Sequence, residues 1–446
     1  MSSTAGRRQG HAVIAGASIG GLVAARALSE SFERVTLIDR DRLPAAPAAR
    51  RGVPQSRMLH GLIAMGKVAL DELFPRFSEE MSANGAAVGD GQSDLQWYLD
   101  GRLLKPVPSG LTVLNASRPL LEFTLRARVA ALPGVTIMDG HDVTGLITTP
   151  GRSAVTGVRL QRRDAAAAPP MTADLVVDAT GRGSRGAWWL DELGYARAAE
   201  ETVRVGIVYT RRIYRREPRL LGGRIGTVAA AYPGGPNGGI VLAQEGESLI
   251  LALTGTNNVT PPADPDGMAA YADALPTPDF AEIIRTATPL SEPATMRFPA
   301  SIRRRYENLS ELPEGFLVVA DALCAFNPVY GQGMTVAALE AQALLRLLRE
   351  GREDITRRFF RAAAEIVDSP WNIMLGNDLR FPHAEGPLTP QIGQSAQYMD
   401  AFRAAAADDA VLATALLRVL HLIDPPARLQ DPALRQRVAR ATKAAA

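Results

Sequence analysis

Asp321 and the run that follows it, Asn327-Pro328-Val329-Tyr330-Gly331-Gln332-Gly333-Met334, join a carboxylate to a proline- and glycine-rich entry into a helical segment. A carboxylate can hold a hydroxyl, and the free N–H groups of a helix N-terminus stabilise negative charge placed beside them. Far upstream lies a second glycine-rich turn, Gly16-Ala17-Ser18-Ile19-Gly20-Gly21, whose following helix would present its positive end to a phosphate. A seat for a pyrophosphate and a distant seat for a ring that becomes anionic describe the two ends of FAD. The pair predicts a chain that grips this cofactor at both ends.

The elements needed to position these residues are legible around them. His11 to Ala15 is an apolar run of strand character, the glycines follow at once, and Leu22 to Leu28 reads as a helix. Gly16 permits the turn, Gly21 lets helix and strand pack closely, and Ser18 stands at the middle glycine position with a side chain small enough for close backbone approach. A second strand, Val35 to Ile38, ends in Asp39, at the spacing from which an acidic side chain reaches a ribose hydroxyl, with Arg40 beside it. Arg50-Arg51-Gly52-Val53-Pro54-Gln55 follows. Ser117-Arg118-Pro119 opens a helix with a hydroxyl cap and an early proline. Asp174 to Asp178 is a buried strand that empties into the turn Ala179-Thr180-Gly181-Arg182-Gly183-Ser184.

On Arg51-Gly52-Val53-Pro54-Gln55, Asp178 to Ser184, Ala325 to Met334, Trp371 and Asp378-Leu379-Arg380-Phe381, the sequence resembles the flavoprotein monooxygenases of the para-hydroxybenzoate hydroxylase fold. Within that group it is similar to the flavin epoxidases of bacterial polyether biosynthesis, of the lasalocid and monensin type, and more distantly to squalene epoxidase. The resemblance spans residues 10 to 385. It implies an α/β fold: a Rossmann-like FAD-binding domain of the GR2 type, an inserted, mostly antiparallel β substrate domain and a C-terminal helical region. It puts the adenine end of FAD on Gly16, Ser18, Gly21, Asp39 and Arg40, with Arg51, Gln55 and Arg118 near the pyrophosphate and ribityl chain. Asp321 would hold a ribityl hydroxyl. Pro328, Gly331, Gly333 and Met334 would bring a helix N-terminus to the N1 and C2-carbonyl edge of the ring. Ala320, where glycine is usual before the aspartate, and Thr180, where many hydroxylases have an aspartate, depart from the family pattern.

The FAD-binding domain is expected over residues 8–80, 112–200 and 305–352, the substrate domain over 81–111 and 201–304, and the helical region over 353–446. Thr202 to Tyr214, Arg224 to Tyr232, Ile240 to Ala243 and Ser248 to Thr254 read as strands separated by glycine- and proline-rich turns. After Gly351 the pattern predicts helices broken at Ser369-Pro370.

Composition narrows the function class. With 446 residues, 46% hydrophobic content and a net charge of +2, the chain is long enough for two domains and a helical annex and has no strong charge bias. Lysine occurs only at Lys67, Lys105 and Lys443, so the positive charge is arginine balanced by acids. Arg303-Arg304-Arg305 and Arg211-Arg212 are read as solvated strand ends or intramolecular pairs, and no nucleic acid partner is expected. A lone Cys324 excludes an internal disulfide. The histidines, at 11, 60, 141, 383 and 421, show no metal-ligand spacing, and no metal is expected. Residues 1 to 9 are polar, without a signal-peptide core, which predicts a cytoplasmic protein. Ala410 to Ile423, interrupted by Arg418 and His421, reads as an amphipathic packing helix or a lid and not a membrane span.

Flavin chemistry through a C4a-hydroperoxide asks the protein for a dry, shaped cavity more than for polar catalysts. Tyr330, His60, Tyr209 and Trp371 are the pocket candidates; His60 is read on a helical stretch from Met58 to Leu70. No second nucleotide turn exists for a resident nicotinamide, so NAD(P)H docking transiently or a separate flavin reductase would deliver electrons. The expected reaction inserts one oxygen atom of O2 into a small apolar, polyene- or polyketide-like metabolite, with alkene epoxidation ahead of hydroxylation. A flavin-dependent reductase or desaturase of the geranylgeranyl-reductase type is the competing enzyme reading, and a flavin-bearing binding subunit the non-catalytic one.

Overall fold

A computed structural model describes residues 9–162, 167–387 and 390–445. Its nucleus is a five-stranded parallel sheet in the order Phe316–Val318, Leu175–Asp178, His11–Ala15, Arg34–Asp39 and Val135–Asp139. The central strands read as unbroken apolar runs because helices and a second sheet cover them. Helix Ile19–Leu28 packs on helices Gly333–Glu350 and Arg118–Ala130, while an antiparallel sheet of His141–Thr148, Val155–Arg162 and Ala167–Thr172 packs against the parallel one. Ser117 caps Arg118–Ala130 by accepting from Leu120 N at 3.2 Å.

A seven-stranded sheet runs Ala294–Phe298, Ile207–Arg215, Ser248–Gly255, Asn237–Gln244, Gly226–Ala229, Leu95–Leu99 and Arg102–Leu103. All its neighbours are antiparallel except Gly226–Ala229 with Leu95–Leu99. The predicted strand from Thr202 to Tyr214 is two strands. Gly206, at φ +66°, breaks it, so that Glu200–Val203 pairs with Ser301–Arg304 while Ile207–Arg215 joins the large sheet. That first pairing also accounts for the arginine run: Arg304 meets Glu200 at 2.9 Å, Arg305 meets Glu201 at 2.6 Å, and buried Arg303 reaches Asp368 at 2.7 Å.

The break predicted at Ser369-Pro370 is absent, for helix Ile355–Asp378 runs through Pro370. An internal proline costs a helix about 3 kcal/mol, but Pro370, Trp371, Met374 and Leu375 are all buried, and that packing holds the helix continuous. Helices Pro390–Ala406, Ala410–Leu420 and Pro432–Ala445 form a further cluster, docked on Leu104, Leu111 and Ala64. Among the described residues no helix is long and apolar enough to cross a membrane.

Candidate active site

The first glycine turn is as tight as its sequence demands. Gly16 sits at φ +103°, and a Cβ there would meet the Ala179 carbonyl oxygen at 2.5 Å; a Cβ on Gly21 would collide with the carbonyl of Gly16. Ser18 precedes helix Ile19–Leu28 but leaves its N–H groups uncapped. Its hydroxyl instead donates to Glu122 at 2.7 Å and accepts from Arg118 Nη2 at 2.9 Å. The helix end therefore stays available to an anion.

Asp39 is more committed than its spacing predicts. It accepts from Ala17 N at 2.8 Å, from Asp41 N at 2.9 Å and from Arg50 Nη1 at 3.0 Å to both oxygens. Arg50 also reaches Asp41 at 3.2 Å and Glu122 at 2.5 Å. Burial opposes the charge on Arg50, but Asp39, Glu122 and Asp41 together raise its pKa. Arg51, the residue expected here, lies exposed, as does Arg40. Gly52 N donates to Asp41 at 2.6 Å, closing the loop so that Arg50 turns inward and its neighbour outward. Arg50 and Glu122 are the site residues that sequence reasoning missed at this end; the doubled arginine was the available signal.

At the other seat, strand Phe316–Val318 leads into a turn whose Ala320 adopts φ +55°. This is where glycine is usual, and a side chain in that region carries a cost of about 1–2 kcal/mol. The turn is held by Ala320 N, which donates to Glu340 Oε2 at 2.7 Å. Glu340 is buried in helix Gly333–Glu350; burial, together with the nearby Asp321, pushes its pKa up to about 8 against that hydrogen bond. Asp321 faces the cavity and makes no side-chain hydrogen bond to a described residue. Burial raises its pKa, and Arg118 and Arg182 pull it back. Asn327 accepts from Val329 N at 3.2 Å, Gly331 turns at φ +65°, and the helix begins at Gly333, whose Cβ position lies 3.6 Å from Asp321 Oδ1. Carboxylate and helix N-terminus converge.

These residues fit FAD. Arg50 Nη2, Arg118 Nε and Arg182 Nη1 are buried N–H groups with no hydrogen-bond partner among the described residues. Burial lowers the pKa of Arg118, though Glu122 and Asp321 counter it. Single guanidinium N–H groups and a carboxylate without hydrogen-bond partners among the described residues, together with an open helix end, are the complements of a pyrophosphate, a polyhydroxyl chain and an electron-rich ring.

A cavity of about 250 Å³ brings together Ser18, Gln55, His60, Arg118, Tyr209, Asp321, Pro328, Tyr330, Gly331, Gly333 and Met334. Gly16, Gly21, Asp39, Arg40 and Arg51 lie outside its lining. Trp371 does too: it is 1% exposed, behind Phe326, the two rings edge to face at 6.4 Å. His60 lies ahead of helix Ala64–Leu73 and not within one. Its Nδ1 donates to the Met58 carbonyl at 3.0 Å, which leaves Nε2 as an acceptor; burial, then Arg118, pushes its pKa down to about 3, so the ring is neutral.

Tyr330 donates to Asp378 at 2.5 Å, and Asn327 Nδ2 reaches the same carboxylate at 3.2 Å. Burial pushes Asp378 up to about 6, although both hydrogen bonds favour its charge. The Tyr209 hydroxyl is buried beside it, and burial, then Asp378, pushes its pKa up. Helix Ile355–Asp378 brings Asp378 behind Tyr330 and Asn327 of the cavity lining, a placement that the sequence motif alone does not reveal. His421 also lines the cavity, at the end of Ala410–Leu420, and no sequence signal nominated it.

Comparison with known proteins adds a relative from Mycobacterium tuberculosis (strain ATCC 25618 / H37Rv), protein Rv3254, which is 36% identical over 441 residues, covering 95% of this chain and 92% of the relative. The chain belongs to the Rv3254 family. No protein-family model matches this Rv3254-family chain. Among solved structures it resembles the flavin-dependent brominase Bmp2 (TM-score 0.68, 14% identity, 98% of this chain and 99% of that one). It also resembles a flavoprotein/dehydrogenase from Cytophaga hutchinsonii (0.66, 14%, 97% and 97%) and PqsL, a probable FAD-dependent monooxygenase from Pseudomonas aeruginosa (0.61, 15%, 97% and 100%). At such identities the likeness establishes the fold, that of flavin-dependent monooxygenases and halogenases, over nearly the whole Rv3254-family chain.

Proposed function

We propose that this protein is an FAD-dependent monooxygenase that transfers one oxygen atom of O2 to an apolar small molecule, with alkene epoxidation the preferred reaction. The observation that carries the reading is Asp321: a cavity-facing carboxylate without a side-chain hydrogen bond to any described residue, beside the open N-terminus of Gly333–Glu350 and acted on by Arg118. FAD, when bound and reduced, supplies the electrons that activate oxygen. The chain binds and orients it: Ser18, Arg50 and Arg118 at the pyrophosphate, Gln55 and Asp321 along the ribityl chain, and Pro328, Gly331, Gly333 and Met334 at the ring. In this reading segments 8–80, 112–200 and 305–352 carry the cofactor, while 81–111 and 201–304 supply the substrate wall. Leu95, Trp97 and Leu242 make that wall apolar and exclude water from the reacting atoms. NAD(P)H or a separate flavin reductase supplies the electrons.

Hydroxylation of a substrate with an acidic hydroxyl is the second reading, and the Tyr330–Asp378 pair favours it. A substrate O–H donating to the Tyr330 oxygen could pass its proton through Tyr330 to Asp378, whose raised pKa suits it to accept. The deciding experiment supplies purified, flavin-loaded protein with NADPH or a flavin reductase, O2 and candidate polyenes and phenols. A product heavier by one oxygen atom supports monooxygenation, and the productive substrate separates the two readings. A product changed by two hydrogens would establish the reductase or desaturase alternative instead, and protein that retains no flavin would end both.

A further inference from the structure

His421 lines the cavity wall and has no part in the proposed chemistry. It is 0% exposed and held from three directions: Ala64 N donates to its Nδ1 at 3.2 Å, Met65 N donates to its carbonyl at 3.3 Å, and Gln332 Nε2 holds the adjoining Leu420 carbonyl at 3.1 Å. A backbone N–H can only donate, so Nδ1 must accept and the proton of the neutral ring is on Nε2. This is the opposite tautomer to that of His60. The Nε2–H of His421 has no hydrogen-bond partner among the described residues. A buried donor left unmade is costly, and in native proteins such groups are usually satisfied by a ligand, a water or a protein atom.

The surroundings define what could satisfy it. Trp97 meets the imidazole edge to face at 5.7 Å, and Leu95, Val113 and Leu242 share the same wall. Burial pushes the His421 pKa down to about 4, and Asp90 is the charged group that acts on it. An anionic ligand atom would face that acid with no counter-charge, whereas a neutral oxygen acceptor suits a neutral donor in an apolar wall. We infer that His421 is a substrate-recognition residue whose Nε2–H donates to a neutral carbonyl or ether oxygen of an otherwise apolar ligand. This rests on the proposed function in taking the cavity's ligand to be the oxygenase substrate. It narrows that substrate from a bare hydrocarbon to a molecule that carries an oxygen acceptor.

The test compares benzylacetone with butylbenzene, which differ by a ketone in place of a methylene, as probes titrated calorimetrically into flavin-loaded wild-type protein and His421→Phe. The expected result is that the variant loses about tenfold in affinity for the ketone while its affinity for the hydrocarbon is unchanged or improved. Equal changes for both probes would overturn the inference. Should the variant not fold, nitrogen NMR of the wild-type histidine rings decides. A proton on Nε2 of His421 that responds to benzylacetone and not to butylbenzene sustains the assignment; a proton on Nδ1, or no response, sinks it. Neither readout involves turnover. Ketone-selective binding without oxygen transfer would therefore refute the proposed reaction and leave the recognition site standing, and oxygen transfer without ketone selectivity would do the reverse.

Discussion

Behind Ser18 and Arg118 of the cavity lining, Asp39, Asp41, Glu122 and Arg50 are buried and largely satisfy one another. At the wall formed by the large sheet and the C-terminal helices, by contrast, Leu95 and Trp97 share the lining with the Nε2 of His421, a polar group that has no hydrogen-bond partner among the described residues. The first arrangement is rigid before any ligand arrives, because removing one ion strands the others in a low-dielectric interior. The second is a dry surface with isolated hydrogen-bonding points, which suits discrimination among apolar molecules. A self-paired ionic cluster and a largely apolar wall thus stand on two sides of the site and are held by different physics.

The sharpest way to break this contrast is Arg50→Ala. Stranding three buried carboxylates should cost about 3–5 kcal/mol of folding stability, while Arg51→Ala on the exposed neighbour should stay within about 0.5 kcal/mol. Urea denaturation of the pair reads both, and equal effects would dissolve the proposed network. On the opposite side, Asp378 has a folded pKa raised to about 6 from an ordinary 3.8. Over that interval the folded state binds more protons than the unfolded one, so stability falls as pH rises from about 4 to 6, by up to about 3 kcal/mol. Asp378→Asn should flatten that decline, and denaturation at the two ends of the window would show it; an unchanged slope would assign it elsewhere. Asp321→Ala should weaken FAD binding by about ten- to a hundredfold, the worth of a hydrogen bond to a charged acceptor, measured as flavin retained after gel filtration and by fluorescence titration. Full retention would mean that the Arg50 network alone anchors the cofactor. The smallest effect is expected at Ala320→Gly, which relieves the φ of +55° and should stabilise by at most about 1 kcal/mol.

Local signals carried much of this architecture. The strand, turn and helix from His11 to Leu28, the serine cap at Ser117 and the glycine-rich entry to Gly333–Glu350 depend on neighbours a few residues away, and they lie where their residue types predict. Errors fell where a local preference met a distant partner. Gly206 divided what read as one strand because its halves pair with different sheets, and Pro370 failed to stop a helix that is buried around it.

What the residues determined by themselves were the two open helix ends, since a tight turn with an uncapped helix end, and a carboxylate leading into another helix N-terminus, are properties of short segments. Which arginine of Arg50-Arg51 faces inward, how Asp378 comes to hold the Tyr330 hydroxyl, and how His421 acquires a fixed tautomer in the cavity wall were decided by the tertiary structure alone. Each depends on groups brought together from distant parts of the chain, and burial then sets their charge and proton positions, a quantity that no spacing along a sequence encodes.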